Sequence, residues 1–172
     1  AEGWREPWPM ATYGVAAECL GRFNGAYLTG KAMPRFPWLS HGRVRGMLDL
    51  AAPVIERLDE RRHEPIMQRW LGDGRLERVL RLWSMRDRLL NGLASLPRCL
   101  CHHDAFCRNL MVRRDEDDAA ALVGIDWAMM GAGVIGEEIG PLVGATLYFL
   151  DVDIADAPAL DRIVFDGYVR GL

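Results

Sequence analysis

The chain has 172 residues, half of them apolar, and a formal net charge of −3. This length and composition predict one domain, or one large lobe, with a substantial hydrophobic core. A slightly acidic chain lacks the basic surface that nucleic-acid binding requires, so we expect no nucleic-acid partner.

Cysteine usage and hydropathy indicate where the protein resides. The four cysteines, Cys19, Cys99, Cys101 and Cys107, show no regular disulfide framework, which predicts a reducing, cytoplasmic environment. No signal peptide is visible, and the longest apolar runs are shorter than the ~20 residues that span a bilayer. We therefore expect a cytoplasmic protein without a membrane partner.

Apolar residues recur at helical spacing through most of the chain. The predicted helices cover residues 10–28, 44–58, 65–71, 76–93, 137–150 and 159–172. Pro53 weakens the second of them, because proline removes an amide donor and clashes with the preceding turn. A loop is expected over residues 1–9. These elements predict a mainly helical α+β fold.

Two apolar runs, 110–113 and 121–127, flank a charged turn at 114–118 and predict a β-hairpin. Asp104 and Asn109 precede the hairpin, and Asp126 lies at its other end. Because a hairpin returns the chain to its starting point, Asn109 and Asp126 should lie together, with Asp104 one short loop away.

These three polar residues suit one kind of chemistry. A lone carboxylate beside a hydroxyl can accept its proton. An amide oxygen and a second carboxylate suit Mg²⁺, which completes its coordination with waters and phosphates. A base combined with a Mg²⁺ site is the arrangement that catalyses phosphoryl transfer.

The motif His102-x-Asp104-x-x-x-x-Asn109, followed by Ile125-Asp126-Trp127, resembles the catalytic and metal motifs of the aminoglycoside phosphotransferase / choline kinase-like superfamily. These enzymes are small-molecule relatives of the protein kinases. The resemblance implies that Asp104 is the catalytic base and that Asn109 and Asp126 bind Mg²⁺. It also implies ATP or GTP as cofactor and a small-molecule hydroxyl as phosphate acceptor.

The same resemblance implies supporting residues. His102 should buttress the catalytic loop, although a histidine whose ring is satisfied in the core fits the sequence equally well. Glu138 occupies the place where the family often has an aspartate, so it should hold the loop with a longer side chain. Arg108 could contact a phosphate or be a solvated loop residue.

The resemblance extends upstream to residues 20–28 and 37–39, but it covers only the carboxyl-terminal lobe of the family's fold. Family kinases hold the nucleotide phosphates with an amino-terminal glycine-rich hairpin and a lysine. Lys31 is the only lysine here, and no such hairpin precedes position 100. We expect residues 1–172 to be the carboxyl-terminal catalytic lobe, with the amino-terminal lobe absent, and the isolated chain to be inactive.

Two glycine-rich stretches suggest other nucleotide sites. Residues 25–32 resemble a P-loop, but Ala32 stands where a Mg²⁺-binding Ser or Thr is required. The spacing Gly131-x-Gly133-x-x-Gly136 resembles a dinucleotide fingerprint, but the two glutamates that follow would repel a pyrophosphate. We expect a flexible loop at 131–136. A dinucleotide-binding oxidoreductase and a catalytically silent kinase-like binding protein are the rival functions.

Cysteine and histidine residues cluster before the hairpin, and zinc binding needs to be considered there. The cluster comprises Cys99, Cys101, His102, His103 and Cys107. Its spacing matches no common structural zinc site. Because alternate strand residues share a face, Cys99 and Cys101 are expected to be core residues.

Overall fold

The computed structural model describes residues 7–114 and 120–172, with the side chain of residue 114 left out. Residues 1–6 of the predicted loop and residues 115–118 of the predicted charged turn lie outside the described part. The chain forms two compact units: Ala1–His41 with Pro97–Leu172, and Gly42–Leu96.

Three helices of the first unit enclose its core: α1 (Met10–Leu28), α6 (Ile139–Tyr148) and α7 (Ala157–Gly171). The buried cluster between them and the sheets comprises Tyr13, Ala17, Leu20, Ala105, Leu110, Leu142, Leu160, Val164 and Tyr168. Helices α1 and α7 approach closely because glycines lie between them. A β-carbon on Gly21 would lie 2.2 Å from the Tyr168 carbonyl oxygen, and one on Gly167 would lie 2.3 Å from the Gly14 oxygen.

Two small sheets complete the first unit. Strands β1 (Ser40–His41), β2 (Arg98–Cys101) and β5 (Gly131–Val134) form one sheet in the order β1-β5-β2, with β5 parallel to β1 and antiparallel to β2. Strands β3 (Leu110–Arg114) and β4 (Ala120–Gly124) form the antiparallel hairpin that the sequence predicts.

The prediction of a flexible loop at 131–136 is wrong for residues 131–134, which form the buried central strand β5. Small residues allow this burial. A β-carbon on Gly131 would lie 2.3 Å from the Ser40 carbonyl oxygen, so only glycine permits this approach between β5 and β1. Residues 135–138 form a turn after the strand.

The second unit contains α2 (Arg43–Ile55), α3 (Pro65–Leu71), α4 (Arg75–Ser84) and α5 (Arg86–Ala94). The predicted single helix over 76–93 is therefore wrong, because Met85 separates two helices. The Met85 amide donates to the Leu82 carbonyl at 3.1 Å, a tighter turn than an α-helix makes.

Other predicted boundaries differ by a few residues. Helices 10–28 and 65–71 are confirmed, and α2 extends past Pro53 but ends at Ile55. Helix α6 is two residues shorter at each end than the predicted helix 137–150, and α7 begins two residues earlier and ends one residue earlier than the predicted helix 159–172. A mainly helical α+β fold is confirmed. None of the helices within 7–114 and 120–172 is long and apolar enough to cross a membrane.

Candidate active site

A loop from His102 to Asn109 joins β2 to β3 and carries the predicted base. The Asn109 Nδ2 donates to the Asp104 carboxylate at 2.7 Å and to the Asp104 backbone oxygen at 3.0 Å. Both contacts use the amide nitrogen, and within residues 7–114 and 120–172 no hydrogen bond to the Asn109 Oδ1 is found. Asn109 thus orients Asp104 and retains one oxygen for another ligand.

The hairpin places Asp126 at the same end as Asn109, as the sequence predicts. Leu110 pairs with Gly124, and the Ile125 amide donates to the Asn109 carbonyl at 2.9 Å. Asp126 follows directly, is exposed, and has a φ of 56°, a left-handed conformation that Asp tolerates better than most residues. Within the described residues, no hydrogen bond or ion pair involves its carboxylate.

His102 joins the loop to the end of β4. Its Nε2 lies 2.9 Å from the Ile125 carbonyl oxygen, and its Nδ1 accepts the Asp104 amide at 3.3 Å. These partners assign the neutral tautomer with the proton on Nε2. The ring, 1% exposed, also lies 4.4 Å from the Trp127 ring. One imidazole therefore fixes Asp104 relative to the segment that bears Asp126.

Glu138 holds the first residue of the loop. Its Oε1 accepts the backbone amide of His102, and the residue is fully buried. Burial raises the pKa of Glu138 to about 7, and the hydrogen bond from the His102 amide opposes that shift. Its Oε2 has no hydrogen-bond partner among the described residues.

A buried Asn–Tyr pair, which the sequence analysis missed, supports both sides of this site. The Tyr168 hydroxyl donates to the Asn24 Oδ1 at 2.6 Å and accepts the Gly136 amide at 2.9 Å. The Asn24 Nδ2 donates to the Leu100 carbonyl at 2.8 Å. The pair links the strand before His102 to the turn before Glu138. A polar asparagine at a core position of α1 is the signal that could have identified it.

Glu137 and His103 were also missed as a pair. The Glu137 Oε2 accepts the Val134 amide at 2.8 Å, and its Oε1 lies 3.2 Å from the His103 Nε2. Burial disfavours the Glu137 carboxylate, but His103 and the Val134 amide outweigh it and lower its pKa. No sequence spacing connects a loop histidine to this distant turn.

The predicted phosphate contact, Arg108, is exposed at the loop tip. Its guanidinium carbon lies 3.8 Å from the centroid of the Phe149 ring, a cation–π arrangement. The Lys31 ammonium lies 5.2 Å from the Tyr27 ring centroid. A cavity of about 340 Å³ between α1 and the hairpin is lined by residues that include Phe23, His102 and Trp127, but by neither Asp104 nor Asp126.

The model of the Phosphotransferase enzyme family (APH) matches residues 16–171, and the chain belongs to that family. This confirms the resemblance to the aminoglycoside phosphotransferase / choline kinase-like superfamily. Comparison with curated proteins gives no match, and comparison with solved structures gives none either.

Proposed function

We propose that the protein transfers the γ-phosphoryl group of ATP or GTP to a hydroxyl of a small molecule. One observation carries the proposal. Asn109 orients the Asp104 carboxylate through its amide nitrogen, while its amide oxygen lies at the end of the hairpin that also bears Asp126, whose carboxylate has no partner among the described residues.

Asp104 is the proposed catalytic base. Its Oδ2 accepts the Asn109 amide, which leaves the Oδ1 to accept a proton from the acceptor hydroxyl. The deprotonated oxygen then attacks the γ-phosphorus, the bond to the β-phosphate oxygen breaks, and the nucleoside diphosphate leaves. The bond from Asn109 and the His102 contact to the Asp104 amide hold the base in one orientation, so catalysis gains from positioning.

Asn109 and Asp126 are the proposed Mg²⁺ ligands. Their free atoms are an amide oxygen and a carboxylate, the hard oxygen donors that Mg²⁺ prefers. Asp126 is exposed and has no partner within the described chain, which fits a ligand whose cation arrives with the nucleotide. When bound, Mg²⁺ neutralises the phosphate charge that develops in transfer.

The outer face of the hairpin is the proposed platform for the nucleotide base. Met111 pairs with Val123 across the strands, and Ile125 follows on the same side. Val123 is 36% exposed and Ile125 44% exposed, whereas Leu110 on the opposite face is buried. An apolar face beside the proposed Mg²⁺ ligands suits the flat surface of a purine.

The nucleotide phosphates require positively charged partners. We propose that Arg108 reaches a phosphate from the loop tip. Lys31 lies against aromatic rings, so we propose that a phosphate-binding lysine and a nucleotide cover come from outside residues 1–172. On this proposal the chain is the carboxyl-terminal catalytic lobe and shows no turnover when isolated.

The test is an assay of the intact protein with ATP, GTP and Mg²⁺ against aminoglycosides, choline-like alcohols, amino-alcohols and sugars. We expect Mg²⁺-dependent formation of nucleoside diphosphate and one phosphorylated acceptor class. Nucleotide binding without turnover on any acceptor would favour a silent binding protein. NAD(P) binding that does not depend on Mg²⁺ would favour the dinucleotide-binding oxidoreductase and contradict the proposal.

A further inference from the structure

Three donor atoms, two from buried residues and one from a half-buried glutamate, converge on one point in the first unit. They are the Cys101 Sγ at the end of β2, the His103 Nε2 in the loop and a Glu137 carboxylate oxygen in the turn after β5, all within 4.8 Å of one another. A β-carbon built on Gly133 would lie 2.6 Å from the sulfur and 2.7 Å from both the nitrogen and Oε2. Because Gly133 has no side chain, the space between these three donor atoms is open.

The hydrogen-bond partner of His103 favours metal binding by this residue. Its Nδ1 lies 3.2 Å from the Met129 carbonyl oxygen, an acceptor that calls for a proton on Nδ1. The neutral ring would then direct a lone pair from Nε2 into the gap. A metal-binding histidine almost always donates its other ring N–H to a carbonyl or carboxylate in this way.

The His103 Nε2 also lacks a satisfactory protein partner. The side chain is 3% exposed, and Oε1 of Glu137 is 3.2 Å away, yet the geometry gives no hydrogen bond to Nε2 among the described residues. A lone pair facing a carboxylate in a buried site is repulsive unless a cation lies near both. Tetrahedral ligands at ~2.0–2.2 Å from one ion stand ~3.3–3.6 Å apart, which is close to the observed separation.

We propose that Cys101, His103 and Glu137 form a zinc site that fixes the catalytic loop to the three-stranded sheet. Sulfur, imidazole and carboxylate donors suit Zn²⁺, whereas Mg²⁺ requires oxygen ligands. The ion would lie just beyond the convergence point, farther from the Gly133 backbone, with water as its fourth ligand. Binding releases the Cys101 thiol proton to solvent, and no electron transfer occurs.

The charge around the site supports this assignment. Without a cation, the Cys101 thiol and the carboxylates of Glu137 and Glu138 lie in one mostly buried region, and the positive groups that act on Glu137 are His103 and Arg98. A divalent ion would stabilise the thiolate and offset the neighbouring negative charge.

The chain offers a matched control for the thiol ligand. Cys99 lies on the same strand, is fully buried like Cys101, and its sulfur is 3.6 Å from the Cys101 sulfur, but it is not one of the three converging donors. Cys99→Ser and Cys101→Ser therefore make the same chemical change in the same environment. Only Cys101→Ser should remove a zinc ligand.

The experiment treats intact protein with a chelator and then titrates it with Zn²⁺ alone or Co²⁺ alone. We expect one zinc per chain and a thiolate-to-cobalt absorption band. Losing even a hydrogen-bonding partner of a ligand costs ~10–100-fold in affinity, so Cys101→Ser should weaken Zn²⁺ binding at least that much and abolish the band. Cys99→Ser keeps a hydrogen-bonding group beside Cys101, so this variant should keep both the Zn²⁺ affinity and the absorption band.

Absence of stoichiometric zinc in the parent protein, or equal behaviour of the two serine variants, would overturn the proposal. The cluster would then be an ion pair between protonated His103 and Glu137 beside a buried thiol. If circular dichroism shows that a serine variant is unfolded, Glu137→Gln decides instead. This variant keeps an oxygen for the Val134 amide, and unchanged zinc affinity in it would equally contradict the site.

Discussion

The residues that support the loop from His102 to Asn109 and the proposed Mg²⁺ ligand Asp126 are held in opposite ways. His102 and Glu138 are almost completely buried, and each makes a hydrogen bond that fixes the loop. Asp126, next to the residue that His102 contacts, is exposed and unpaired within the described chain. The buried groups set the geometry of the loop, and the exposed Asp126 carboxylate is accessible to a ligand, as a preorganised site requires. Substitution of a buried support should therefore change mainly stability, whereas substitution of Asp126 should change mainly the Mg²⁺ requirement.

The largest effect is expected from Asp104→Asn. General-base catalysis typically contributes ~10²–10⁴-fold, so kcat of the intact protein should fall by about that factor. The Mg²⁺–nucleotide Kd should change little, because Asp104 is not a proposed metal ligand. Steady-state kinetics and calorimetry give the two quantities. Asp166→Asn, an exposed position on α7, is the matched control, and kcat within a few-fold of the parent in Asp104→Asn would refute the assignment.

Asp126→Asn should raise the Mg²⁺ concentration that activity requires. Hydrogen bonds and contacts to charged groups contribute about 1.5–3 kcal/mol, so the Mg²⁺ concentration for half-maximal activity should rise about 10–100-fold. Folding should be unaffected, since the carboxylate is exposed. Activity titrations with Mg²⁺ measure the shift, and thermal unfolding provides the control. An unchanged Mg²⁺ requirement would remove Asp126 from the site.

Glu138→Gln should act on stability and on its pH dependence. The folded-state pKa is raised from 4.5 to about 7, so the parent loses stability relative to Glu138→Gln as pH rises through that window. The loss approaches at most about 1.4 kcal/mol per pH unit, and the difference is constant below and above the window. Denaturant unfolding of chelator-treated protein at several pH values measures it. A difference that does not change with pH would show that folding does not raise the pKa of Glu138.

Arg108→Ala should have the smallest effect. The guanidinium stacks on Phe149 at an exposed position, where such contacts contribute about 0.5–1 kcal/mol. If Arg108 also reaches a phosphate, the nucleotide KM should rise about 2–5-fold while kcat stays near the parent value. Phe149→Leu keeps the positive charge and serves as the control. An unchanged KM in Arg108→Ala would assign the residue to ring stacking alone.

The sequence predicted the hairpin and the relative places of Asn109 and Asp126 because strand alternation and a charged turn are local signals. It did not predict β5, since Gly131–Val134 has the composition of a loop. That segment becomes a strand only because β1 and β2 pair with it on both sides. The broken helix at Met85 was missed for a related reason, because its apolar spacing continues through the break.

The residues missed at the site depend on contacts between distant parts of the chain. Asn24 and Tyr168 meet across α1 and α7, and His103 meets Glu137 across the loop and the turn after β5. Neither contact leaves a spacing signal in a single sequence. His102 and Glu138 were proposed as supporting residues because of the resemblance to the family motif. The structure adds the contact between them, a hydrogen bond from the His102 amide to the Glu138 carboxylate.

The central claim is that Asp104, Asn109 and Asp126 form one Mg²⁺–nucleotide centre. A crystal structure of the intact protein with Mg²⁺ and a non-hydrolysable ATP analogue tests it most directly. The account predicts an ion at ~2.0–2.1 Å from the Asn109 Oδ1 and an Asp126 carboxylate oxygen, with the γ-phosphate facing Asp104. An ordered nucleotide whose Mg²⁺ touches neither Asn109 nor Asp126 would contradict it.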